Sequence, residues 1–117
     1  MKLKPGDLVG IPFPYSNLAA KKRRPVLVVS FPDRYGDFMG LAVTSVITEE
    51  SAIVIVEGDM ATGSLPTKSW IRYDKIFTLS SEIVAKTYGS IKDQVRKMVM
   101  GDLCRYIGCD KVNKQKK

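Results

Sequence analysis

The chain has 117 residues, enough for one hydrophobic core and too few for two domains. Its composition, 44% hydrophobic and 26% charged, excludes a wholly disordered or fibrous protein. The net charge of +7 favours a polyanionic partner, either a nucleic acid or an acidic protein segment.

The first predicted elements are two strands separated by a basic loop. DLVGIPF, residues 7–13, follows a Pro-Gly turn signal and alternates apolar residues with small or polar ones, as strands do. A loop rich in cations and turn formers follows. Pro25 then opens the apolar run VLVVS as the first residue of the second strand, where proline costs one ladder hydrogen bond. Further strands are predicted at 40–47, 52–58, 65–72 and 74–80.

The C-terminal region changes to a helical period. Ser90 and Asp93 resemble a capping box, and Gly108 marks the end of an amphipathic helix of about four turns. A shorter helical turn is predicted at 80–86. The apolar stripe of the long helix comprises Ile91, Val95, Met98, Val99, Leu103 and Ile107.

These elements predict a mainly β protein, a small barrel of five to seven short antiparallel strands with a C-terminal helix packed against it. One domain is expected over residues 1–110, followed by a basic disordered tail at 111–117. The longest apolar runs are too short to span a membrane, and MKLKPGDLV lacks the apolar core of a signal peptide. A cytoplasmic protein without a membrane partner is therefore predicted.

The residue inventory excludes several kinds of chemistry. Because the chain has no histidine, it cannot use an imidazole base or a Ser-His-Asp triad. It also lacks the glycine-rich phosphate loops of nucleotide enzymes, so neither a metal nor a cofactor is expected. Cys104 and Cys109 are interpreted as two thiols, with a disulfide as the alternative.

Three places carry candidate functional side chains. Arg24 precedes Pro25, which favours an extended backbone and holds the guanidinium at the boundary of loop and strand; the alternative is a surface arginine. Thr44 and Ser45 end the run LAVTS; a hydroxyl at a strand end can bind a phosphate, whereas a threonine within a strand most often serves packing. Arg72 and Asp74 are two residues apart, which places both side chains on one face of a strand. They could act as a catalytic pair, and the alternative is an exposed ion pair.

Five segments, in order, resemble the MazF/PemK family of toxins from bacterial toxin–antitoxin systems. The resemblance extends from Lys4 to Ile107. The segments are PGDLVGIPFPYSN, KKRRPVLVVS, LAVTS, SWIRYDKIFTL and YGSI.

This resemblance implies an SH3-like barrel that forms a homodimer and cleaves single-stranded RNA, such as mRNA, without a metal ion. It places the family's Arg-Pro on Arg24 and Pro25, its strand-end threonine on Thr44, and its Arg-x-Asp on Arg72 and Asp74. The first loop, residues 14–23, would contact RNA and be covered by a cognate antitoxin with an acidic and apolar segment. RNA contacts are accordingly expected at Tyr15, Asn17, Lys21, Lys22, Arg23 and Ser45.

Some family members carry a histidine in that loop, and this chain has none. The resulting hypothesis is that Arg24 clamps the scissile phosphate, Thr44 hydrogen-bonds it, and Asp74, held by Arg72, takes the 2′-hydroxyl proton. Two other functions remain open: a barrel that binds RNA or DNA without cutting it, and a gyrase-directed toxin of the CcdB type. The second ranks lower because such toxins depend on a hydrophobic C-terminus, whereas this chain ends in KVNKQKK.

Overall fold

Seven strands and one C-terminal helix form the regular structure of residues 2–14 and 21–109, the ranges that the computed structural model describes. Single 3-10 turns lie at Glu57–Asp59 and Ser81–Ile83, the latter within the predicted short helical turn. The strands are β1 (Asp7–Pro14), β2 (Lys21–Val28), β3 (Asp37–Thr44), β4 (Ala52–Ile55), β5 (Met60–Gly63), β6 (Ser69–Ser80) and β7 (Lys86–Ile91), and the helix is α1 (Asp93–Ile107).

All seven strands belong to one antiparallel sheet with the order β4-β6-β3-β2-β1-β7-β5, curled into a half-barrel. The prediction of a mainly β fold with five to seven strands and a C-terminal helix is therefore confirmed. No helix within the described ranges is long and apolar enough to cross a membrane. The predicted tail at 111–117 lies outside these ranges.

Apolar side chains are buried on both faces of the sheet because successive residues of a strand point to opposite sides. Leu8 and Leu27 belong to the larger cluster, whereas Val9 and Val26 belong to the smaller one on the other face. Helix α1 covers the larger cluster with three buried side chains at four-residue spacing. These are Val95, Val99 and Leu103.

Strand β2 begins earlier than predicted. The sequence placed Arg24 at a boundary and Pro25 at the start of the strand, but β2 pairs with β1 from Lys21 onward. In the described part of the chain, β3 pairs with β2 only over Val26–Val28. Pro25 therefore lies where one edge of β2 is unpaired, a position that tolerates a missing N–H.

Strand β6 is one long strand, not the two segments predicted. Its register against β3 jumps from Leu41↔Ile76 to Ala42↔Arg72, so residues 73–75 form a bulge. The Tyr73 N–H in this bulge donates to the Ser51 carbonyl at 3.1 Å. The expected break in the strand is thus a bulge, and the strand continues beyond it.

Strands β5 and β7 were not predicted from the sequence, and each contains a glycine, a residue that weakens a strand pattern. Gly63 and Gly89 are paired, and a Cβ on either would collide with the backbone of the other strand. Ser90 lies in β7, where its N–H donates to Thr62 Oγ1 at 3.1 Å. The predicted capping box is therefore wrong, and α1 begins after Lys92 without a side-chain cap.

The C-terminal end of α1 agrees with the sequence in one respect and differs in two. Gly108 ends the helix with φ of 84°, as predicted. Met98 and Ile107, expected in the apolar stripe, are exposed. The sulfurs of Cys104 and Cys109 lie within bonding distance and their Cα atoms are 5.2 Å apart, which favours the alternative of a disulfide over two thiols.

Candidate nucleic-acid interface

Two cavities meet at the edge where β2 and β3 stop pairing. We call them the Arg72 cavity, of about 330 Å³, and the Tyr88 cavity, of about 180 Å³. They share a wall of four residues, Arg24, Pro25, Val43 and Thr44. The Arg72 cavity is completed by Ala42, Arg72 and Phe77. The Tyr88 cavity is completed by Leu8, Arg23, Ser45, Leu65, Pro66, Thr67, Ser69 and Tyr88.

Arg24 extends from the paired part of β2 and not from a loop boundary. Its partner in the pairing with β1 is Ile11, which is fully buried. The Arg24 side chain is half-buried and leaves the strand on the same face as Val26. A guanidinium held in this way, between two cavities, can bind a phosphate with paired N–H donors.

Thr44 is the last residue of β3, which begins and ends three residues earlier than the strand predicted at 40–47. Its Oγ1 accepts a hydrogen bond from the Val46 N–H at 3.1 Å, and Thr48 Oγ1 donates to the Val46 carbonyl at 2.9 Å. These two bonds hold the chain after β3. Because Thr44 Oγ1 accepts from the backbone, its own O–H can donate to a bound anion.

Arg72 and Asp74 form an ion pair at the β6 bulge. Arg72 Nη2 is 3.2 Å from Asp74 Oδ2, and the side chains are 32% and 21% exposed. The predicted ion pair is therefore present and partly buried. Asp74 Oδ1 and Arg72 Nε are buried without a hydrogen-bond partner among the described residues. Arg72 lines its cavity, whereas Asp74 is not among the lining residues of either cavity.

Sequence analysis did not identify Trp70 as part of the interface. Trp70 is directly opposite Thr44 in the pairing of β6 with β3, and Lys68 Nζ lies 5.7 Å from the centre of its ring. An aromatic ring beside a cation is a common arrangement in surfaces that bind single-stranded nucleic acid. The signal in the sequence was a lone tryptophan two residues after a lysine, with Lys68 just before β6 and Trp70 at its second position.

The other predicted contact residues fall partly at the cavities and partly elsewhere. Arg23 and Ser45 line the Tyr88 cavity. Lys21 and Lys22 are the first residues of β2, paired with β1. Tyr15 and Asn17 lie outside the described residues. In the described ranges, no group of three or more His, Cys, Asp or Glu side chains could hold a metal ion.

Fold and site together define a class of protein: a small basic half-barrel in which arginines and a threonine hydroxyl line two adjoining cavities. A family model described as "PemK-like, MazF-like toxin of type II toxin-antitoxin system" matches residues 4–107. The chain belongs to this toxin family. No curated protein sequence matches it.

Solved structures share the fold at low sequence identity. A mycobacterial endoribonuclease, solved with its cognate antitoxin, has 16% identity and a TM-score of 0.69, covering 91% of this chain and 95% of that one. MazF from a MazE–MazF crystal structure of Deinococcus radiodurans has 18% identity and a TM-score of 0.71, covering 92% and 97%. The Mycobacterium tuberculosis toxin MazF-mt6 has 12% identity and a TM-score of 0.63, covering 88% and 96%.

Proposed function

We propose that this toxin is an endoribonuclease that cleaves single-stranded RNA without a metal ion. The observation that carries the proposal is the convergence of Arg24, Thr44 and Arg72 on one cavity. Two guanidinium groups and a hydroxyl donor suit a phosphate whose negative charge increases in the transition state. Similar solved structures described as endoribonucleases add support.

In the proposed reaction, the 2′-hydroxyl of the RNA attacks the adjacent phosphorus. The bond from phosphorus to the 5′-oxygen breaks, leaving a 2′,3′-cyclic phosphate and a 5′-hydroxyl that takes a proton from water. Arg24 holds the phosphate oxygens and Thr44 donates a hydrogen bond to them. Asp74, held by Arg72, takes the 2′-hydroxyl proton, since arginine stays protonated and is a poor base.

We infer the partners from the same surface. Several similar solved structures are complexes with a cognate antitoxin or with MazE. For this chain, we propose a cognate antitoxin whose acidic and apolar segment covers Arg24 and the cavities on either side of it, because opposite charges complement each other across an interface. We further propose that the toxin acts in the cytoplasm as a homodimer.

The test is to incubate the purified protein with a long single-stranded RNA in the presence of EDTA. We expect discrete fragments with 2′,3′-cyclic phosphate and 5′-hydroxyl ends, and no cutting of a DNA strand of the same sequence, which lacks the attacking hydroxyl. Arg24→Ala should reduce the cleavage rate by about 10²–10³-fold, as removal of an oxyanion donor does. Lys97→Ala, an exposed cation on α1, is the charge-matched control and should cut normally.

Three results would contradict the proposal. If Arg24→Ala cleaved RNA at the wild-type rate, Arg24 would have no role in the reaction. If cleavage required an added metal ion, the metal-free mechanism would be excluded. Binding of RNA without fragments, by a protein whose fold is intact by circular dichroism, would favour a non-catalytic nucleic-acid-binding module.

A further inference from the structure

Arg23 and Arg24 are adjacent in β2 but leave the strand on opposite faces. Arg23 shares its face with Leu27 and with the Tyr88 cavity, which it lines. The proposed reaction uses Arg24 and the Arg72 cavity. The residues that line only the Tyr88 cavity, on the other side of the shared wall, have no role in that reaction.

A glycine in β1 makes the position of Arg23 possible. A Cβ on Gly10 would lie 2.7 Å from Arg23 Cδ and 2.9 Å from Arg23 Cγ. The methylene stem of Arg23 therefore crosses the strand where Gly10 has no side chain. Any larger residue there would push the Arg23 stem away, since real Cβ contacts of that length essentially never occur.

A β-bulge directs Tyr88 to the same place. The pairing of β1 with β7 passes from Leu8↔Gly89 to Val9↔Thr87, so Tyr88 is the extra residue. Bulges change the direction of a side chain and are frequent beside active sites. The Tyr88 hydroxyl lies 3.2 Å from the Cβ position of Gly10, and Lys86 Nζ lies 5.0 Å from the centre of the Tyr88 ring.

The chemistry of the Tyr88 cavity matches a nucleotide. Leu65 and Pro66 provide apolar surface, Ser45 and Thr67 provide hydroxyls, and no acidic residue is among its described lining residues. Arg23 brings a charge that suits a phosphate, and the Tyr88 ring suits a base. The cavity is also continuous with Arg24 and Thr44, which form part of its wall.

We propose that the Tyr88 cavity binds the nucleotide adjoining the scissile phosphate of single-stranded RNA. Arg23 contacts the flanking phosphate of that nucleotide, and Tyr88 contacts its base. This inference rests on the proposed function, because the scissile phosphate is the one held by Arg24. It makes Tyr88 a residue that determines which RNA sites are cut.

The experiment compares variants on a pool of single-stranded RNAs with randomised sequence, mapping each cut by sequencing the new 5′-hydroxyl ends. Tyr88→Leu should change the base preference at one position next to the cut by about tenfold, the scale of one lost stacking contact. Arg23→Ala should raise KM by about tenfold and leave kcat nearly unchanged, as loss of uniform binding does.

Gly10→Ala is the sharpest variant because it keeps the charge of Arg23 and displaces its stem; the new methyl group also crowds the Tyr88 hydroxyl, 3.2 Å away. It should reproduce the higher KM of Arg23→Ala. Gly58→Ala, where a Cβ meets nothing within 4 Å, is the matched control and should behave as wild type. Circular dichroism and thermal melting of each variant separate lost binding from lost folding.

An unchanged base preference in Tyr88→Leu, or a wild-type KM in both Gly10→Ala and Arg23→Ala, would overturn the nucleotide site. In that case RNA would still be cut and Arg24→Ala would still be inactive, so the proposed function would stand. A different result would contradict the proposed function, namely RNA cleavage that persists in Arg24→Ala.

Discussion

At the scale of the residue, Asp74 is the group whose role is most open to a direct test. One of its oxygens is bound by Arg72, and the other is buried without a described partner. A carboxylate held in this way can accept a proton when substrate reaches it, or can serve only to orient Arg72. The two roles differ in what happens when the carboxylate becomes an amide.

Asp74→Asn keeps the size and shape of the side chain and removes its basicity. If Asp74 takes the 2′-hydroxyl proton, kcat should fall by about 10²–10⁴-fold, the usual contribution of a general base. The loss of rate on acidification that a catalytic carboxylate causes should also disappear. Both are measured by single-turnover cleavage of one RNA over a range of pH.

Asp102→Asn is the control for this experiment, since Asp102 also pairs with an arginine, Arg105, but on α1 away from the cavities. It should keep the rate and pH profile of the wild type. If Asp74→Asn lost activity but retained the acid limb of its pH profile, Asp74 would be a positioning residue for Arg72.

The sequence identified Arg24, Thr44 and Arg72 as candidates, and the structure places all three around one cavity. Their catalytic roles stay predictions. Tyr88 was not identified as a candidate, because its direction depends on a bulge that forms only against β1. The residue pattern of a single strand does not show where one of its residues will lack a partner in the neighbouring strand.

At the scale of the element, the boundaries that sequence analysis missed were those set by a partner strand. Four consecutive cations favour a loop by composition, yet β2 includes them because β1 pairs with the chain from Lys21 onward. Strands β5 and β7 were missed, and each contains a glycine that weakens a strand pattern, whereas here Gly63 and Gly89 let two backbones approach closely. Helix α1 was predicted within a few residues because its period is local.

The end of α1 gives a prediction about stability. Gly108 has φ of 84°, and a Cβ on it would meet no atom within 4 Å, so an alanine there would experience only backbone strain. Gly108→Ala should lower the free energy of unfolding by about 1 kcal/mol and the Tm by about 4 °C. Differential scanning calorimetry measures both.

Gly58→Ala is the counterpart for Gly108→Ala, since Gly58 has equally open surroundings and no positive φ. Its unfolding free energy should stay within about 0.5 kcal/mol of the wild type. Equal Tm values for the two variants would show that the left-handed conformation at Gly108 does not limit stability. RNA cleavage should be unaffected in both.

At the scale of the whole molecule, the topology brings together basic residues that are distant in the chain. Residues 1–34 carry seven Lys or Arg against two Asp, and residues 86–117 carry nine against three acids. Because β1 pairs with both β2 and β7, Lys86 of the second segment lies opposite Gly10, whose partner on the other side is Pro25. Lys86 is thus one strand away from Arg23 and Arg24, although it is distant from them in sequence.

This arrangement predicts a strong dependence of binding on salt. The logarithm of the association constant for single-stranded nucleic acid should fall linearly with the logarithm of salt concentration, by about 0.7 for each phosphate contacted. Fluorescence anisotropy with a DNA strand, which lacks the attacking 2′-hydroxyl, measures binding without cleavage. Arg23→Ala should reduce the slope, whereas Lys97→Ala should leave it unchanged; equal slopes would exclude an electrostatic contact at Arg23.

Because Arg23 and Arg24 lie on opposite faces of β2, only some changes in the sequence of this toxin should be tolerated during evolution. A substitution at either position alters one contact, but a one-residue insertion between Arg24 and Val26 would move each arginine to the opposite face. Composition and net charge would hardly change, yet each guanidinium would enter the wrong cavity. Variation in length should therefore be excluded from this short segment far more strictly than variation in residue type.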